Sequence, residues 1–192
     1  MAEIKIEKKT TVWPWVLAGI VIIALLLLYF FYFKKGNDNP VVMKESPDQV
    51  SSNTAQAILA YTNYADSDTT SMGLDHEFTH TALIKLADAT QYLADKTGTG
   101  EKADIDKARE YADKITIDPN VTTHADNIKK AAGLLSGVLS NIQKASYPDL
   151  SSEAEEVASS SEAIDVDELT LDQKTKVRAY FNNASMLLKK MN

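Results

Sequence analysis

LDHEFTHTALIKLADATQYL, residues 74–93, decides the fold class: Leu74, Phe78, Ala82, Leu86, Ala89 and Leu93 recur at three and four, the spacing of one helix face. The run stops at Thr97-Gly98-Thr99-Gly100, where glycine supplies the left-handed turn that ends a helix. The same periodicity continues on either side. Val50, Ile58, Tyr61 and Ala65 mark a first helix ending near Asp66, and Ile105, Ala108, Ala112 and Ile115 mark a third, interrupted at Asp118-Pro119. Val121, Ala125, Ile128, Ala132, Leu135, Val138 and Ile142 run as a fourth, with Thr123 and Asp126 spaced as a capping box. Beyond Tyr147-Pro148 the serine-rich, acidic stretch 151–168 reads equally as a short surface helix or a loop. Thr170 and Gln173 resemble another cap, ahead of a closing helix through Val177, Phe181, Ala184, Leu188 and Met191.

No stretch alternates apolar and polar residues, and no Asn-Gly or Asp-Gly turn joins such stretches, so a sheet is not expected. The expectation is an all-α domain, an antiparallel bundle of four longer helices plus a short one at 151–168. A helical-repeat solenoid is the alternative, because Tyr-Ala-Asp recurs at Tyr64 and Tyr111, but no steady period accompanies it.

Ahead of this domain, Val16 to Phe33 carries no charged side chain, and Trp13 and Trp15 extend the apolar stretch. At a rise of ~1.5 Å per residue, 13–33 reaches ~30 Å, the thickness of a bilayer's hydrocarbon core. Trp13 and Trp15 at one end and Tyr29 and Tyr32 at the other suit the two interfaces. The stretch ends in Tyr-Phe-Phe-Tyr-Phe-Lys-Lys without the small residues of a cleavage site, so it reads as an uncleaved signal anchor. The expected organisation is a cytoplasmic tail, 1–12, a transmembrane helix, 13–33, a tether, 34–47, and a soluble acidic domain, 48–192. Lys5, Lys8, Lys9 and the α-amino group outweigh Lys34, Lys35 and Lys44, which places the domain outside the cytoplasm, in the periplasm if the source is bacterial.

Of the net charge of −7, the first 33 residues contribute +1 (Lys5, Lys8 and Lys9 against Glu3 and Glu7), leaving −8 on the remainder. Such a domain repels phosphate backbones, and nucleic acid is not expected as a partner. The chain has no cysteine, which excludes disulfides, thiolate metal sites and a cysteine nucleophile.

One motif carries candidate chemistry. His76-Glu77-Phe78-Thr79-His80 resembles, over these five residues, the zincin peptidases. The resemblance implies His76 and His80 as zinc ligands and Glu77 as the base that polarises a metal-bound water, with His124 or Glu101 as the third ligand. The extended zincin pattern departs here, since Leu83 and Leu86 stand where Gly and His belong, and Glu101 is followed four residues later by Ile105 rather than Asp. By helix phase both histidines lie away from the Leu74–Leu93 stripe, on a flank shared with Leu83 and Ala87. The expectation is therefore no catalytic residue and no cofactor. The functional expectation is a membrane-tethered helical interaction module or accessory subunit, bound to the bilayer through 13–33 and to a partner protein through its domain; a membrane-anchored zinc hydrolase is the alternative.

Overall fold

A computed structural model describes residues 47–67, 76–117, 124–170 and 172–192, and the side chains from Ser52 onward. The anchor, the tail, the tether before Pro47 and the cap at Thr123 lie outside the described residues. No helix among the described residues is long and apolar enough to cross a membrane.

The described part is all-helical and belongs to one compact unit, Glu45–Asn192. Its helices are α1 (Pro47–Ser67), α2 (His76–Thr97), α3 (Lys102–Ile117), α4 (His124–Ser146), α5 (Ser151–Glu162) and α6 (Lys174–Met191), with a 3-10 turn at Pro148–Leu150 between α4 and α5. The stretch 151–168 divides: it is helical to Glu162, and 163–168 is an irregular loop. The described residues thus form six helices, five longer ones and the short α5, where four longer ones and a short one are expected. Gln173 stands at the N-cap position of α6, but its side chain makes no capping bond to the helix. Its buried amide turns back to the loop, accepting from the Asp165 N–H at 2.8 Å and donating to the carbonyls of Asp165 at 2.5 Å and Glu168 at 2.8 Å. The glycine stop after α2 behaves as read. Gly98 and Gly100 have φ of 72° and 70°, and the Thr99 N–H reaches the Ala94 carbonyl at 3.1 Å.

Helices adjacent in the chain are antiparallel neighbours. Near the start of α1, Thr54 donates to the Tyr92 carbonyl late in α2, while at the other end Tyr64 stacks on Phe78 with ring centroids 4.9 Å apart. Arg109 bridges Asp88 of α2 and Asp106 of its own helix at 3.0 Å each, and Asn141 of α4 meets Glu101 ahead of α3. Lys129 of α4 donates to the carbonyl of Glu162, the last residue of α5, at 3.1 Å and to that of Ile164 in the loop beyond it at 2.7 Å. Two further packings join the hairpins: α2 against α4, and α6 against α1.

A steady period, not legible in the residue types, lies in the burial. Thr79, Ala82, Leu83, Leu86, Ala87, Ala89, Thr90 and Leu93 of α2 are buried, and so are the residues 49 positions on in α4, from Ile128 to Ile142. Another 49 positions on, Val177, Tyr180, Phe181, Ala184, Ser185, Leu187, Leu188 and Met191 of α6 repeat the pattern. In the alternate helices Ile105, Ala108, Ala112 and Ile115 correspond at the same spacing to Ala154, Val157, Ser161 and Ile164, all buried. With α1, where Ile58, Tyr61 and Ala65 precede their α3 counterparts by 47, the domain is three helix hairpins on one repeat. The solenoid alternative thus captures the register, while the α1–α6 packing closes the array as a bundle. Leu83 and Ala87, read as flank, are 1% exposed, because α2 packs against α1, α3 and α4 and its apolar stripe is correspondingly wide.

Tyr61 and Tyr180 are fully buried, and their hydroxyls donate to the carbonyls of Phe181 at 2.9 Å and Ala132 at 3.2 Å. Burial is the main cause that pushes both phenols above their ordinary range. A tyrosine whose folded pKa exceeds its unfolded value stabilises the fold fully below ~10, and loses that contribution as pH rises from ~10 through the folded value. Alkaline titration followed by circular dichroism should therefore show a fall in stability beginning near pH ~10. Tyr180→Phe, which costs about 1 kcal/mol at neutral pH for the lost hydrogen bond, should flatten that fall. An alkaline limb identical in wild type and Tyr180→Phe would contradict the assignment to Tyr180.

Candidate functional site

The two histidines of the His-Glu-x-x-His run occupy the first turns of α2, and each is engaged by a different neighbouring helix. His76 opens the helix, and its ring meets the ring of His124, the first residue of α4, at a centroid distance of 4.3 Å and an interplanar angle of 60°. His80 reaches instead across to α3, where its Nε2 lies 3.0 Å from Asp113 Oδ1. An ionised carboxylate only accepts, so Nε2 donates to it. That Nδ1 is buried and has no hydrogen-bond partner.

Glu77 lies between them on the exposed side of the helix. Glu101 is not brought to this corner. It follows the other end of α2, ~30 Å away along the helix axis, and accepts from Asn141 at 3.0 Å. The structure thus brings His124 to His76 and leaves His80 with Asp113. Among the described residues no three His, Asp or Glu side chains gather where one metal ion could reach all of them.

Sequence reasoning missed Asp113 as a partner of His80, and a third feature beside it. The half-buried ring of Tyr111 has three ammonium groups around it, Lys107 at 5.5 Å, Lys114 at 4.9 Å and Lys130 at 5.5 Å from the centroid. Lys107 is also paired with Glu110 and Lys130 with Asp126, each at 2.7 Å. Those contacts hold the two lysines above their ordinary range and Glu110 below its own. Tyr111 belongs to the recurring Tyr-Ala-Asp, and its other member, Tyr64, has Lys85 5.6 Å from its centroid. Cation–aromatic contact is the one property the two share beyond their place in the repeat.

The surface also carries an open groove of ≈ 650 Å³ beside α1 and α6, lined by Asp66, Arg178, Asn182, Met186 and Lys189 among others. Asp66 closes one side of it, accepting from Lys189 at 2.7 Å and from Ser185 at 3.4 Å. Comparison with known proteins finds no matching family model, no similar curated protein and no similar solved structure.

The His80–Asp113 pair is partly exposed, with 24% and 60% of the side-chain surfaces open to solvent. Exposed ion pairs contribute about 0.2–1 kcal/mol. A double-mutant cycle through His80→Ala and Asp113→Ala, read by urea unfolding, should return a coupling in that range. A coupling several times larger would show that the pair is a structural element of the fold.

Proposed function

We propose that this chain is a membrane-tethered helical interaction module, an accessory subunit whose hairpin array binds a partner protein. The apolar segment 13–33 supplies the tether to the bilayer, and the lysine excess in the preceding tail supports a domain held outside the cytoplasm. The observation that carries the interaction reading is on α4. Gly133 and Gly137, four apart on one exposed face, have ordinary helical backbone, and a Cβ added at either would meet nothing within 4 Å. Each glycine costs about 1 kcal/mol relative to alanine in a helix interior. Nothing among the described residues uses the space they leave, whereas a partner's backbone approaching α4 closely would use it.

Gly133→Ala with Gly137→Ala should therefore raise the stability of the protein by about 2 kcal/mol, measured by urea unfolding. Gly133→Leu with Gly137→Leu should keep the fold and abolish recovery of the partner that co-purifies with wild type from native membranes. Undiminished co-purification by the leucine variant would remove α4 from the interface. Protease added to intact cells should digest the domain, and digestion only after lysis would reverse the topology.

The zinc-hydrolase reading rests on His76, Glu77 and His80 together, and the nearness of His124 to His76 supplies an imidazole that it could use as third ligand. Glu77→Gln separates the two readings. Loss of function at constant fold belongs to the hydrolase, in which Glu77 is the base, and unchanged function belongs to the interaction module.

A further inference from the structure

The chain has three histidines, and all of them lie at the corner where α2 and α4 begin and α3 ends. From the contact of two of them we propose that His76 and His124 form a binding site for a borderline transition-metal ion such as Zn²⁺, which clips the start of α2 to the start of α4.

The geometry is close to what such an ion requires. With metal–nitrogen distances of ~2.0–2.1 Å and a tetrahedral angle, two imidazoles sharing an ion stand with centroids roughly 5 Å apart. The observed 4.3 Å is about 1 Å shorter, and the planes stand at 60°. Binding therefore requires the partly exposed His76 ring to turn until both nitrogen lone pairs converge. His76 is half-buried and gives the ion a way in, while His124, 7% exposed, forms a fixed inner wall. Imidazole is the nitrogen ligand that Zn²⁺, Cu²⁺ and Ni²⁺ prefer, and hard ions such as Mg²⁺ avoid. Among the described residues no third His, Asp or Glu joins them, and the clip is proposed on the two imidazoles alone.

Both ligands sit at helix N-termini, where the macrodipole places about half a positive charge and opposes a cation. In the same turn Glu77 offsets the half-charge of α2, whereas Asp126 of α4 is shared with Lys130 at 2.7 Å. Lys129 and Lys130, the nearest cations on α4, are drawn off to the end of α5 and to Asp126. The clip needs neither Glu77 as a base nor His80 as a ligand, which separates it from the zinc-hydrolase reading, and it does not rest on the interaction module. The clip would fix the α2–α4 packing that joins the first two hairpins.

Titration of the full chain in detergent with ZnCl₂, followed by calorimetry and by thermal unfolding, tests this. Wild type should bind Zn²⁺ saturably and melt at higher temperature with it, and MgCl₂ should do neither. His76→Ala should weaken binding roughly tenfold or more and remove the thermal shift, while His80→Ala should leave both nearly unchanged. His124→Gln should match His76→Ala; should this buried position fail to fold, the half-exposed His76 decides alone. Absence of saturable binding, or binding that His76→Ala leaves intact, overturns the proposal. Loss in His80→Ala with none in His124→Gln also overturns it, by assigning the ion to the pair within α2.

Discussion

Two adjacent side chains on the last helix, Tyr180 and Phe181, hold the array closed. Phe181 sits edge-on to Phe78 of α2 at 6.5 Å between centroids, its carbonyl receives the Tyr61 hydroxyl from α1, and the hydroxyl of Tyr180 reaches α4 at Ala132. Both rings are fully buried. Burying an aromatic side chain of this size is worth on the order of 2–3 kcal/mol, and here the same two rings serve three helices. Without α6 the inner faces of α1, α2 and α4 would lose their common cover.

That arrangement explains why the repeat is invisible in residue types. At one pair of equivalent positions α2 has Ala82 and Leu83, α4 has Ala131 and Ala132, and α6 has Tyr180 and Phe181. The positions are equally buried but do not hold equal volumes: a small residue on one helix leaves the room that a large one on another fills. Close packing constrains the sum and leaves each term free. Helix periodicity depends on apolar against polar and was legible outside the serine-rich stretch 151–168, whereas the 49-residue spacing depends on which neighbour supplies the bulk.

The candidate site was legible to the same depth. An i, i+4 pair of histidines places two rings on one side of α2, as helix geometry requires. Where those rings turn is set by Asp113 on α3 and His124 on α4, side chains 33 and 48 residues beyond His80 and His76 that no local spacing announces. Gln173 shows the same limit. Its position before α6 suggests a cap, yet the backbone groups it satisfies belong to the loop at 165–168, because that loop leaves them otherwise without a nearby partner.

The closing contact has a consequence for synthesis. Tyr61 and its acceptor at Phe181 are 120 residues apart, so a ribosome adding ~5–20 residues per second makes the first helix roughly 6–24 s before its cover exists. Each intermediate hairpin can bury its own seam in that interval, but the inner face of α1 that α6 covers stays bare until the chain is almost finished. The nascent protein therefore offers one sticky face from the completion of α1 until α6 is made, and a holding chaperone has that face to bind.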